Sequence, residues 1–214
     1  MLEFFIAAIV VALAPGPDNL FVLAQSATHG AKAGLCIICG LCTGVCIQTA
    51  LLVVGVSALI AASPTAFFVI QCLGAAYLLY LAYKSFQVRA GTVKLDERRK
   101  DGLRPTDERG AGSLSYRRLY LRGVIMNLTN PKAVLFALSF IPPAVKMNSP
   151  LSPTVQMVIL GTEFVVATFI VFGSIAFLAG AVKKFMLNSP KANRNLNWFS
   201  GCVFVLLAVA LFAL

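Results

Sequence analysis

The sequence predicts an all-α polytopic membrane protein with six transmembrane helices, arranged as an inverted 3+3 repeat in which helices 1 and 4 are broken. Three observations carry this expectation. Hydrophobic residues make up 59% of the 214-residue chain and charged residues 12%, a composition that excludes an ordinary soluble domain. Apolar stretches recur near Leu2–Ser26, Leu35–Ala61, Thr65–Gln87, Leu119–Lys146, Thr154–Val182 and Trp198–Leu214. Each reaches roughly 20 residues once interfacial positions are included, enough for a helix to cross about 30 Å of hydrocarbon. No long strand-like alternation points to a barrel. Finally, the first and fourth stretches are interrupted part-way by prolines and polar residues.

The first stretch would be one span but for Pro15-Gly16-Pro17-Asp18-Asn19. In hydrocarbon such a run is expensive, because prolines leave carbonyls unpaired and the acid must be desolvated. Pro15 and Pro17 are expected to release the carbonyls of Val11 and Leu13, and each must find a side chain, a water or a substrate. Ala12-Leu13-Ala14 mimics a signal-peptidase site, but Glu3 stands where a basic residue is expected and Pro15 would follow the cut. An uncleaved first helix is expected.

The second stretch carries Cys36, Cys39, Cys42 and Cys46, the spacing of iron–sulfur ligands. On a helix these ten or so residues extend about 15 Å, too far for four thiolates to close around one cluster. No metal site is expected. The alternative is one broad helix face that packs with Gly40 and Gly44 in a small-xxx-small arrangement. Cys36-x-x-Cys39 also keeps open an enzyme-class reading, a membrane-embedded thiol–disulfide electron carrier. The proline-broken helices contain no cysteine.

The third stretch ends at a connection near 88–118 that holds Arg89, Lys94, Arg98, Arg99, Lys100, Arg104 and Arg109. Mixed charge with few large apolar residues predicts a mobile basic loop rather than a folded domain. Lys183, Lys184, Lys191 and Arg194 fall between spans five and six, and Lys32 between one and two. The second connection has no basic residue and the fourth has Lys146 alone. Positive charge therefore marks the odd connections, which places the basic loop in the cytoplasm and both termini outside. The net charge of +10 is thus read as a topology signal, with no nucleic-acid partner expected.

The fourth stretch contains Asn127-Leu128-Thr129-Asn130-Pro131-Lys132. Pro131 cannot donate to the Asn127 carbonyl. Both breaks fall roughly 12 to 14 residues into their spans, near mid-membrane at 1.5 Å per residue. Three is odd, so the halves 1–87 and 119–214 enter the membrane in opposite senses, as in an inverted repeat built for alternating access. A half-helix starting at Pro17 or Pro131 aims free N–H groups and a positive dipole end at the break, which suits a carboxylate. Asp18 can hold an ammonium or carry a proton; Asn19, Asn127 and Asn130 can donate and accept. Lys132 can meet a substrate carboxylate or snorkel. Against this stands a plain structural role, in which Asp18 and Asn130 cap their half-helices.

The fifth stretch holds one acid. Ser152-Pro153 reads as an N-cap and first helical position, which puts Glu163 about 15 Å along the helix. There it must be protonated, paired or turned to a cavity, with Asp18 or Lys132 as partner. Gln48 either lines the pathway or makes an interhelical hydrogen bond. His29 reads as interfacial, and Trp198 with Tyr77, Tyr80 and Tyr83 as anchoring or packing. No Ser-His-Asp arrangement, nucleotide loop or two-metal pattern is visible.

At Ala14-Pro15-Gly16-Pro17-Asp18-Asn19-Leu20-Phe21-Val22-Leu23 and Gly123-Val124-Ile125-Met126-Asn127-Leu128-Thr129-Asn130-Pro131-Lys132-Ala133 the chain resembles the LysE/RhtB family of bacterial amino-acid exporters. Gly30-Ala31-Lys32-Ala33-Gly34, Gly40-Leu41-Cys42-Thr43-Gly44 and Leu73-Gly74-Ala75-Ala76-Tyr77 fit the same pattern in order. The resemblance implies an inner-membrane secondary exporter of amino acids or close derivatives driven by proton antiport, not an enzyme. It carries functional roles onto Pro15, Gly16, Pro17, Asp18, Asn19, Asn127, Asn130, Pro131 and Lys132. Asp18 stands where many relatives have asparagine, and the cysteine stripe departs from the family pattern. The expected partners are an amino acid or other small zwitterion, a proton and membrane lipids, with a homo-oligomer left open and no cofactor.

Overall fold

The computed structural model describes residues 2–62, 64–87, 115–146, 148–179, 181, 190–210 and 212. Among them the regular structure is helical: α1 (Leu2–Leu13), α2 (Pro17–His29), α3 (Ala31–Ala62), α4 (Pro64–Gln87), α5 (Tyr116–Thr129), α6 (Pro131–Phe140), α7 (Pro153–Phe177) and α8 (Pro190–Ala210). Residues 88–114 of the basic loop, with Lys183 and Lys184, lie outside the described residues.

The breaks fall where the prolines stand. α1 ends at Leu13 and α2 starts with Pro17 in the first helical position, bent by 63° from α1. Pro131 starts α6 in the same way, with Asn130 serving both as the end of α5 and as the N-cap of α6. Ser152 and Pro153 open α7 as the sequence predicts, the Ser152 hydroxyl accepting from the Val155 amide. Gln156 then ties the α6–α7 connection, since its side chain exchanges hydrogen bonds with both backbone groups of Lys146 and donates to the Leu151 carbonyl. Gly30, at φ +83°, turns α2 into α3 in a backbone conformation that a side chain would strain.

Several boundaries differ from expectation. α5 begins at Tyr116, so Arg117 and Arg118 are helical rather than part of the loop; the Ser115 hydroxyl caps this start by accepting from the Arg118 amide. α8 begins at Pro190, eight residues before the apolar run, with proline in the first helical position, where its missing N–H costs nothing. Among the described residues two helices, α3 over Ala31–Gly55 and α7, are long and apolar enough to cross a membrane, and the bent α1–α2 pair makes a third such segment.

Two apolar clusters hold the bundle. Phe136 of α6 stacks on Phe4 (5.6 Å) and Phe140 (4.8 Å) and meets Phe164 of α7 edge-on at 5.2 Å. Val22, Ile37, Ile38, Leu41, Phe172 and Ala176 form the second cluster among α2, α3 and α7. Residues flanking the breaks belong to both clusters, Ala14 and Ala133 to the first and Ala12 and Val22 to the second.

α3 meets α5 backbone to backbone. A Cβ at Gly40 would collide with the Tyr120 carbonyl, and one at Gly123 with the Ile37 carbonyl. One turn further, a Cβ at Gly44 would strike the Asn127 side chain. The glycines therefore make the close contact that packing in lipid favours. The cysteines do not share their face: Cys39 and Cys46 are exposed, and half-buried Cys42 leans toward the Val165 carbonyl of α7 at 3.9 Å. The expected joint glycine–cysteine face is corrected accordingly. Gly40→Val is expected to cost at least the ~1–3 kcal/mol of ordinary overpacking, since backbone cannot move aside as a side chain can. Thermal melting of the detergent-solubilised protein checks this, with Gly55→Ala as the near-neutral control because that position faces open space.

Candidate functional site

The two breaks supply the same local pattern with opposite charge. Each second half-helix starts with proline and then a charged residue, Pro17-Asp18 in α2 and Pro131-Lys132 in α6. Both charges are buried, with Asp18 3% and Lys132 7% exposed. Each reaches across to the opposite break. The Asn130 amide donates to both carboxylate oxygens of Asp18 at 2.5 Å, while its own oxygen accepts from the Lys132 amide at 3.0 Å. The Lys132 ammonium donates to the Ala14 carbonyl at 3.0 Å and to Asn19 Oδ1 at 3.5 Å. A Cβ at Gly16 would stand 3.0 Å from Lys132 Nζ, so glycine keeps the N-cap of α2 open to that ammonium.

These contacts account for backbone that the breaks release. Asn19 Nδ2 donates to the Ala12 carbonyl at 2.8 Å, and Lys132 takes that of Ala14. The carbonyls with side-chain partners are thus those of Ala12 and Ala14 rather than the expected Val11 and Leu13. The whole segment Ala14–Gly16 leaves the helix, so the amides of Gly16 and Asp18 are lost to their i−4 carbonyls as surely as those of the prolines. At the second break the Asn127 carbonyl accepts from the Asn130 amide at 3.2 Å and from Gln48 Nε2 at 3.1 Å. Gln48 also donates to Asn127 Oδ1 at 3.0 Å. Gly40, Gly44 and Gln48 sit four residues apart on α3, so the glycines that admit α5 also bring Gln48 to its break.

Asp18 is not a helix cap. Gly16 occupies that position and makes no side-chain bond, which leaves the carboxylate to the other break. Asn130 caps α6 with its oxygen and binds Asp18 with its nitrogen, so its two roles coexist.

A narrow cavity of about 20 Å³ opens beside this pair, lined by Asp18, Asn127 and Lys132 together with Val11, Leu41, Phe164, Thr168 and Phe172 among others. It has room for about one water molecule. Phe164, Thr168 and Phe172 follow at i, i+4 and i+8 on one face of α7. Sequence reasoning missed this wall, because a helix apolar on every side shows no preferred face.

Glu163 stands elsewhere. One residue out of step with Phe164, it does not line the cavity, and its Oε2 is buried without a hydrogen-bond partner among the described residues. Hydrogen bonds bring together Asp18, Asn19, Asn130 and Lys132 at the breaks and Asn127 with Gln48, and among the described residues none of them reaches Glu163. His29 is exposed at the end of α2, and exposed Trp198 meets Phe86 edge-on at 5.3 Å.

An apolar helical bundle with buried opposite charges on two broken helices defines a class of protein: a multi-pass membrane translocator. The sequence profile of the LysE type translocator family matches residues 9–213. The chain belongs to that family. It is 29% identical over 208 residues to the homoserine/homoserine lactone efflux protein of Salmonella typhimurium (strain LT2), covering 97% of this chain and 93% of the relative. It is also 29% identical over 189 residues to the uncharacterized membrane protein YrhP of Bacillus subtilis (strain 168), covering 88% and 87% respectively. No solved structure matches the chain. Neither the family nor these relatives lend support to a thiol–disulfide carrier at Cys36 and Cys39.

Proposed function

We propose that this protein is a secondary exporter of the bacterial inner membrane, moving small amino acids or close derivatives out of the cytoplasm in exchange for protons. The observation that carries the reading is a reciprocal pair of buried charges, Asp18 held by Asn130 of the second break and Lys132 held by the Ala14 carbonyl of the first. Their charges sum to zero, and so do those of a zwitterion. In this reading Asp18 takes the cargo ammonium or a proton, and Lys132 with the start of α6 takes the carboxylate. The Salmonella relative is named for efflux of homoserine and its lactone, small solutes of the class proposed here.

The architecture of the reading is six spans in two oppositely inserted repeats, 1–87 and 119–214, joined by a cytoplasmic basic loop at 88–118, with both termini periplasmic. Its support is the equivalence of Pro17-Asp18 and Pro131-Lys132 and the pairing of elements. α3 packs on the broken α5–α6 half much as α7 packs on the broken α1–α2 half, while α4 meets α8. Exchange of the two packings is the route for alternating access. A cavity of about 20 Å³ is too small for any amino acid, so loading requires the helices to part.

The purified protein in lipid vesicles, with a pH gradient and a panel of labelled amino acids, tests this. Saturable flux of small neutral amino acids that rises with the gradient is the expected result. Absence of saturable flux for every solute in the panel overturns it.

A further inference from the structure

We infer that the Phe164–Thr168–Phe172 face of α7 is the side-chain selector of the site, and that the Thr168 hydroxyl favours cargo bearing a hydroxyl. The inference rests on the exporter reading above and extends it to the part of the cargo that the charged pair does not touch.

The hydroxyls along α7 behave differently. Thr162 donates to the Val158 carbonyl and Ser174 to the Ile170 carbonyl, each one turn back and on an exposed part of the helix. Thr168 is 3% exposed and lines the cavity, yet among the described residues its hydroxyl makes no hydrogen bond. Its residue is otherwise enclosed, so the cavity is where this hydroxyl can find a partner, and a hydroxyl that forms a hydrogen bond there is favoured over a methyl that cannot. The threonine between these two phenylalanines therefore offers a polar group to whatever occupies the cavity.

The flanking rings bound the space. Phe164 is held edge-on against Phe136 at 5.2 Å, and Phe136 is itself stacked between Phe4 and Phe140. Phe172 belongs to the apolar cluster shared with Leu41. Both rings are packed on their far sides, so the face presents a hydroxyl between two aromatic rings, which suits a short side chain ending in a hydroxyl.

The test compares two pairs of cargo that differ by hydroxyl against methyl: L-threonine with L-valine, and L-homoserine with L-norvaline. Flux of each into vesicles is measured for the unaltered protein, Thr168→Val and Thr168→Ser. The unaltered protein is expected to favour the hydroxylated member of at least one pair roughly 2- to 10-fold, the discrimination one neutral hydrogen bond supplies. Thr168→Val should bring that ratio to about one, and Thr168→Ser should keep it. Equal rates within both pairs in the unaltered protein, or a preference that survives Thr168→Val, overturn the inference. Should Thr168→Val fail to accumulate, Thr168→Ala against Thr168→Ser makes the same comparison. No flux of any of the four solutes in the unaltered protein instead sinks the exporter reading itself.

Discussion

Lys132→Met is expected to abolish transport and to lower the amount of folded protein sharply, and adding Asp18→Asn should restore the folded protein without restoring transport. Lys132 and Asp18 are both buried, and each depends on the opposite break for its partners. Removing one member leaves the other as an uncompensated charge in a low-dielectric interior, which typically costs about 3–5 kcal/mol. Removing both leaves a neutral asparagine–asparagine contact between the breaks, and replacing a buried charged pair by neutral groups is often close to neutral for stability. The two substitutions should therefore be strongly non-additive. Yield of monodisperse protein in detergent and its melting temperature report the folding half, and vesicle flux reports the other. Two independent losses that simply add would mean the charges do not work as a pair.

Asp18→Asn alone leaves Lys132 uncompensated and should lower the folded yield, and per folded molecule it is expected to eliminate proton-coupled flux while the hydrogen bond from Asn130 stays in place, because an asparagine oxygen can still accept from Nδ2. What the substitution removes is the negative charge and the capacity to bind a proton. If Asp18 is where proton and cargo ammonium compete, flux driven by a pH gradient should fall by at least ~10²-fold, as expected when a charge-assisted contact worth about 3 kcal/mol is lost. Glu163→Gln is the informative companion. Its carboxyl lies outside the cavity wall, so gradient-driven flux should stay within about twofold of the unaltered protein.

The sequence was most readable where it violated a rule. Prolines, glycine and a carboxylate inside an apolar run cannot be accommodated silently, so the positions of both breaks are legible in the sequence. The pairing of Asp18 with Asn130 was not legible, because it joins side chains 112 residues apart through the packing of α2 against the opposite half. Azimuth was harder still. The helices of this bundle are apolar on most sides, so composition alone does not say which face looks inward. Glu163 drew attention as the only acid of its span, though its direction turns it from the cavity that Phe164 and Thr168 line. The cysteines were readable as helix rather than cluster, but the glycines between them turned out to own the close contact with α5.

In the proposed mechanism the crossed charges at the two breaks couple cargo to protons. Its most direct test is proton movement in vesicles under an imposed gradient of L-homoserine or L-threonine, with no initial pH difference, for the unaltered protein and Asp18→Asn side by side. The unaltered protein should move protons against the direction of cargo flow, and Asp18→Asn should move none. Equal cargo-dependent proton movement in both would contradict the account.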